Sequence, residues 1–207
     1  LQNRHFLYYL ANSDGYSSLY RIGISHEYFP IDSPELVLRG EQTADFESFH
    51  LFQSAIDISS EGLLVFNTKR GGSDAIHFYS VYEERVVKTI QDNDLLFITS
   101  PKFSDDGNRI VSNAVDRKGF SDLYIFDLVE DRLFRITNDY YNEQDPCFGL
   151  PDQHVIFYSD RTGGKFSGKF NLFAINLNNY EIEYISYLNA NNHSPVISSQ
   201  KDLLLFT

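Results

Sequence analysis

The feature that most constrains this chain is a short pattern repeated at a near-constant interval. Four segments each contain small polar and apolar residues followed by a turn. From the second residue of one segment to the second residue of the next, the three intervals are 45, 45 and 49 residues. These second residues are Ile56, Pro101, Pro146 and Pro195. A repeat in the forties is typical of stacked structural units, and missing it would misassign the whole fold. Stacked repeats also build continuous surfaces, which usually bind partners.

Each unit contains four apolar or aromatic runs, separated by turns rich in Gly, Asp, Asn and Ser. In the clearest unit the runs cover residues 100–103, 110–111, 122–128 and 133–137. Runs of this kind between such turns predict β-strands. No amphipathic pattern of helical length competes with them. The sequence therefore predicts an all-β fold with four strands per repeat.

Four-stranded units at this spacing predict the antiparallel blades of a β-propeller around a central channel. A propeller closes its ring because open sheet edges invite aggregation. The first and last units of this chain lack strands that such closure needs. We therefore expect an incomplete part of a larger, about six-bladed propeller; a four-bladed ring with a spare strand is the alternative. The expected units are a partial blade 1–40, blades 41–92, 93–139 and 140–187, and a partial blade 188–207.

One repeat carries a family resemblance. Residues 100–111, Asp116-Arg117, 122–128 and 135–137 resemble the WD40-like repeat with a Pro-Asp signature that is found in TolB-like propellers. The resemblance weakens at 54–90, where Ile56 replaces the proline. It implies a propeller that binds proteins in the bacterial periplasm or cell envelope. Similar blades occur in prolyl-oligopeptidases, so the repeat is specific for the fold and says little about activity.

Charge and composition exclude several classes of partner. The net charge of −12 and the isoelectric point near 4.8 argue against binding to nucleic acid or to an anionic membrane. The single cysteine, Cys147, cannot form an intramolecular disulfide, and we expect it to be an inert thiol in a first strand. No apolar run approaches 18 residues, so membrane insertion is not expected. The chain has no Met, which favours a mature or excised piece, either a monomer or a part of a multidomain chain.

No recognisable catalytic or cofactor motif occurs in the sequence. It has no Gly-x-Ser-x-Gly elbow, no phosphate-binding loop, no His-Glu-x-x-His and no cysteine pair for zinc. His50 and His193 both precede predicted first strands, which leaves a metal at the channel mouth as a minor alternative. The pairs Asp116-Arg117 and Asp160-Arg161 recur at one blade position and therefore favour a structural role. We expect no catalytic residues, no cofactor and no metal.

The mouth of the channel is the predicted binding surface. Residues just before each first strand should ring one mouth, which the loops between second and third strands share. The predicted partner-binding residues are Gln53, Thr99, Ser100, Glu143, Gln144, Asp145, Asn192 and His193. Their acids and amides are typical of a rim that binds a protein or peptide. The glycine-rich loop 160–169 is either a further contact or a solvated surface loop.

These observations favour a non-catalytic interaction module. Two alternatives stay open: a substrate-binding or gating propeller attached to a hydrolase or acting as a lyase, and a structural spacer.

Overall fold

The computed structural model describes residues 5–12, 15–40, 48–49, 55–149, 152–198 and 203–207. The described residues form five antiparallel sheets in chain order. The first sheet contains β1 (His5–Asn12), β2 (Ser17–Ile24) and β3 (Glu35–Leu38). The second contains β4 (Ile56–Ile58), β5 (Leu63–Arg70), β6 (Ser73–Ser80) and β7 (Arg85–Gln91). The third contains β8 (Leu95–Phe103), β9 (Arg109–Asp116), β10 (Ser121–Asp127) and β11 (Arg132–Arg135).

The fourth sheet contains β12 (Glu143–Phe148), β13 (His154–Ser159), β14 (Asn171–Asn176) and β15 (Ile182–Tyr184). The last is a hairpin of β16 (Val196–Ile197) and β17 (Leu204–Leu205). A single turn of 3-10 helix, Gly164–Phe166, interrupts the loop between β13 and β14. We call the five sheets blades A to E. The predicted all-β propeller of four-stranded antiparallel blades is confirmed.

The first strands of the blades lie side by side around a common axis. β8 contacts both β4 and β12, and β12 contacts β16. The second and third strands are the most buried, as in β6 and β10, whereas the outer strand β7 alternates between exposed and half-buried residues. Neighbouring blades cover both faces of an inner sheet, so the hydrophobic core lies between blades. The channel runs along the first strands.

Aromatic and aliphatic side chains fill the layers between blades. Leu19, Phe66 and Tyr79 lie between blades A and B. One cluster joins blades B and C, and another joins blades C and D. The stacked rings of Phe157 and Phe173, with centroids 6.0 Å apart, belong to the second of these. Because the chain has no Trp, Phe and Tyr supply the large contact areas.

Two first strands begin earlier than the sequence predicts. β8 starts at Leu95 and β12 at Glu143, so residues 99–100 and 143–145 lie inside strands and not before them. The reason is a β-bulge in each strand, between Thr99 and Lys102 and between Gln144 and Cys147. A bulge absorbs the proline, which cannot donate to the ladder, and lets pairing resume on its other side.

Candidate functional site

Repeat-equivalent residues in or just before the first strands form two rings along the channel. The residues that flank the repeated proline position line two cavities, one at each end of the channel. The upper ring consists of Ala55, Ser100, Asp145 and Ser194, and the lower ring of Asp57, Lys102, Cys147 and Val196. The first three members of the upper ring line a cavity of about 530 Å³ together with Gly119, from a loop between second and third strands. We call this end the upper mouth.

The lower ring opens at the opposite end of the channel. Its four residues line a second cavity, of about 420 Å³, with Ser59, Ser104 and Asp152 from the hairpins between first and second strands. We call this end the lower mouth.

The upper ring holds one carboxylate between two hydroxyls. Ser100 Oγ donates to Asp145 Oδ1 at 2.6 Å, and Ser194 Oγ donates to Asp145 Oδ2 at 3.1 Å. The three residues come from three successive blades. Each has a positive φ, of 52°, 43° and 50° respectively, and each precedes a proline. This backbone conformation is unfavourable for residues other than glycine, and the hydrogen bonds show that the three side chains meet.

Neutral polar groups surround this carboxylate. Thr99 Oγ1 donates to Asn113 Oδ1 at 2.8 Å, and Tyr158 Oη donates to Gln144 Oε1 at 2.6 Å. Burial raises the pKa of Tyr158 to about 12, so its hydroxyl keeps its proton at neutral pH. Within the described lining of the upper cavity, Asp145 is the only charged side chain. It forms no ion pair with any described residue.

The lower ring, in contrast, compensates its own charge. Lys102 Nζ lies 3.3 Å from Asp57 Oδ1, and the backbone N–H of Phe103 donates to Asp57 Oδ2 at 2.9 Å. Burial raises the pKa of the Cys147 thiol to about 12. A thiol that stays protonated is a poor nucleophile, so the lower ring has neither an activated nucleophile nor an unpaired acid.

The structure brings together part of the predicted rim. Thr99, Ser100, Gln144 and Asp145 all line the upper cavity. His193 lies beside it, with its ring 4.8 Å from that of Tyr158 and also against Phe170. Gln53 lies outside the described residues.

Two predicted rim residues have buried side chains, which corrects the prediction that they are available to a partner. Asn192 is buried, and its side-chain amide donates hydrogen bonds to Asn171 Oδ1 and Ser186 Oγ. Glu143 is completely buried and pairs with Arg161. Both side chains hold neighbouring strand ends in place and are not accessible to a partner.

The Glu143 pair belongs to a buried network that the sequence did not reveal. Arg161 also lies 3.1 Å from Asp139, and its guanidinium stacks over the rings of Phe157 and Phe173 at 5.5 and 5.7 Å. Burial raises the pKa of Glu143 to about 7, against the opposing effect of the Arg161 charge.

The recurring Asp-Arg pairs have diverged between the blades. Arg117, at the position equivalent to Arg161, is exposed and donates to the carbonyl oxygen of Asn93 at 2.8 Å. The loop 160–169 is closed on itself, because Thr162 Oγ1 donates to the carbonyl oxygen of Lys169 at 2.7 Å.

The described residues contain neither a metal-binding cluster nor a membrane-spanning helix. No group of three or more His, Cys, Asp and Glu side chains among them could hold a metal ion, and His50 lies outside them. In the same part of the chain, no helix has the length and apolarity needed to cross a bilayer.

Known proteins share this fold. TolB from Acinetobacter baumannii is 16% identical, with a TM-score of 0.67, and the alignment covers 97% of this chain and 46% of that one. A putative TolB from Agrobacterium tumefaciens is 20% identical, with a TM-score of 0.68, over 96% of this chain and 65% of that one. A structure from a study of two prolyl endopeptidases is 10% identical, with a TM-score of 0.61, and is covered to 32%.

At these identities the likenesses show the fold alone. The chain spans about half to two thirds of the length of the two TolB structures. No curated protein sequence matches it significantly. The family model described as the TolB beta propeller domain matches residues 83–207. Because this match covers more than half of the sequence, the chain belongs to the TolB β-propeller family.

Proposed function

We propose that this propeller is a non-catalytic module that binds a protein or peptide through the upper mouth of its channel. The observation that carries the proposal is the upper ring: a carboxylate held by hydroxyls from the two neighbouring blades, facing an open cavity of about 530 Å³. Preorganised polar groups on a rigid scaffold bind with little loss of conformational entropy.

The chemistry of the channel supports binding over catalysis. In the described residues, Asp57 is neutralised by Lys102 and the Cys147 thiol stays protonated. The Asp145 carboxylate accepts hydrogen bonds from two serine hydroxyls, and no described His or Lys side chain is hydrogen-bonded to either hydroxyl. The resemblance to TolB-like propellers supports a location in the bacterial periplasm or cell envelope.

The second candidate is a gating or substrate-binding propeller attached to a hydrolase. The fold likeness to the prolyl endopeptidase structure, which extends over 99% of this chain, favours it. On this hypothesis, the channel would admit a substrate to a separate catalytic domain.

Affinity capture tests the proposal, with the intact protein as bait in a bacterial envelope extract. Ala55→Trp places a bulky side chain in the upper cavity, and Ile58→Trp is the matched control because Ile58 lines the lower cavity. We expect a specific protein to be captured by the wild type and by Ile58→Trp and lost with Ala55→Trp, with both variants folded by circular dichroism. Equal capture by the two variants, or no captured protein, would refute binding at the upper mouth. If the intact protein has peptidase activity and Ala55→Trp abolishes that activity, the gating function is favoured.

A further inference from the structure

The upper ring offers hydrogen-bond acceptors and no free donors. The hydroxyls of Ser100 and Ser194 each have one proton, and both protons are donated to Asp145. Each hydroxyl therefore presents only lone pairs to the channel, and the carboxylate retains lone pairs of its own. The hydrogen bonds therefore gather acceptor oxygens from three successive blades around one carboxylate.

The charge at this point is uncompensated. Asp145 has no cationic partner among the described residues, and the described lining of the upper cavity contains no Lys or Arg. A partly buried carboxylate without a counter-ion is unfavourable. The net charge of −12 adds a negative field over the whole molecule, which attracts a cationic group to the site.

The geometry distinguishes between kinds of cation. Calcium usually takes about six to eight oxygen ligands, often from several carboxylates, whereas this ring has a single carboxylate. A guanidinium prefers both oxygens of one carboxylate as a planar fork, and a serine already occupies each of these oxygens. A primary ammonium has three donors and no acceptor, which suits a cluster of three acceptor side chains.

We propose that Ser100, Asp145 and Ser194 bind a primary ammonium group of the partner, with Asp145 as its counter-ion. The group is a lysine side chain or a free amino terminus, since both present the same three donors. The inference rests on the proposed function, because it names the chemistry that a partner inserts at the upper mouth.

Small amines test the site directly by titration into the ¹⁵N-labelled intact protein. Nα-acetyl-lysine methylamide probes the side chain, and glycine methylamide probes the free amino terminus. The Nα,Nε-diacetyl analogue is the neutral control, and calcium chloride is the metal control. We expect the amines to shift the amide resonances of Ser100 and Asp145, with little effect from the two controls. Asp145→Asn should weaken amine binding by about tenfold, since it removes a charged hydrogen-bond acceptor.

Two further variants keep the result interpretable. Asp57→Asn makes the same charge change in the lower ring, next to Lys102, and should leave amine binding intact. Ser194→Ala removes one acceptor from an exposed residue, so it should weaken binding even if Asp145→Asn fails to fold. Shifts that survive both Asp145→Asn and Ser194→Ala, a response to calcium but not to amines, or no response at all would overturn the proposal.

The proposed function and this inference can fail separately. If a partner is lost with Ala55→Trp but retained by Asp145→Asn, the upper mouth is the binding site and the ammonium inference is wrong. If the amines bind in an Asp145-dependent way and capture is insensitive to Ala55→Trp, the ammonium site stands and the proposed function is wrong.

Discussion

Burial and ion pairing act on the Glu143 carboxyl in opposite directions. The side chain has no solvent exposure, which raises its pKa from the ordinary value of 4.5 to about 7, while Arg161 favours the ionised form. Thr137 Oγ1 donates to the same carboxyl at 3.2 Å and ties it to the end of blade C. The network therefore joins blades C and D at the cost of burying charge.

This pKa predicts how stability depends on pH. Between pH 4.5 and about 7 the unfolded chain releases the Glu143 proton and the folded chain retains it, so rising pH favours unfolding across that window. Glu143→Gln removes the effect. We expect the wild type to lose on the order of 2 kcal/mol of unfolding free energy relative to Glu143→Gln across this window. Urea denaturation of both proteins at several pH values measures the difference, and parallel pH profiles would contradict it.

Two phenylalanines of equivalent first strands should differ in their contribution to stability. Phe148 is 7% exposed in the layer between blades C and D, with the Arg109 guanidinium 5.2 Å from its ring centre. Phe103 is only partly buried at the edge of the layer between blades B and C. We expect Phe148→Ala to lower the free energy of unfolding by about 3–5 kcal/mol, and Phe103→Ala to lower it by less. Chemical denaturation tests the order, and a larger loss for Phe103→Ala would show that the layers are packed differently.

At the scale of the element, the bulges around Pro101 and Pro146 decide which residues of β8 and β12 face the channel. In β12 the buried Glu143 is followed by Gln144 and Asp145, which both line the upper cavity, and then by the buried Pro146. Simple alternation would have put Gln144 and Asp145 on opposite sides. The repeat pattern locates the first strands but does not show the bulge, so sequence reasoning could identify Asp145 as channel-facing and could not separate it from Glu143.

The turns between third and fourth strands also carry a repeated conformation. Glu84, Asp131 and Tyr180 all have a positive φ, of 49°, 53° and 60°. Glu84 and Asp131 form ion pairs with Arg21 and Lys88, whereas the Tyr180 side chain is exposed. The same backbone requirement is therefore met by residues for which this conformation is unfavourable.

Glycine should relieve this strain at Tyr180. We expect Tyr180→Gly to raise the free energy of unfolding by about 0.5–1 kcal/mol, because glycine adopts a positive φ without steric cost. Val129→Gly is the control, since Val129 lies exposed in the equivalent turn of blade C without a positive φ. There the added flexibility of the unfolded chain should lower stability. Thermal unfolding compares the two variants, and a loss of stability in both would refute the strain at Tyr180.

On the scale of the whole molecule, the main contacts between described strands of different blades join neighbouring blades, so each repeat forms a similar unit. Four copies of one pattern give independent signals for the same strands, so the propeller followed from spacing and turn residues. A binding site occurs once in the chain, so the repeat pattern does not help to predict it. Asp145 differs from Ala55, Ser100 and Ser194 at one ring position, and only the structure shows that the two serines hold its carboxylate.

Nearest-neighbour packing predicts local differences in stability, which hydrogen exchange can measure. The amides of β5, β6, β9 and β10 should exchange slowest, because these strands are buried and blades B and C each pack between two described neighbours. The two-residue strands β16 and β17 should exchange fastest. Phe148→Ala loosens the layer between blades C and D, so it should accelerate exchange in β9, β10 and β13 more than in β5, which contributes no residue to that layer. An equal acceleration in all strands would mean that the blades unfold as one cooperative unit, and the stability of each blade would then depend on the whole array.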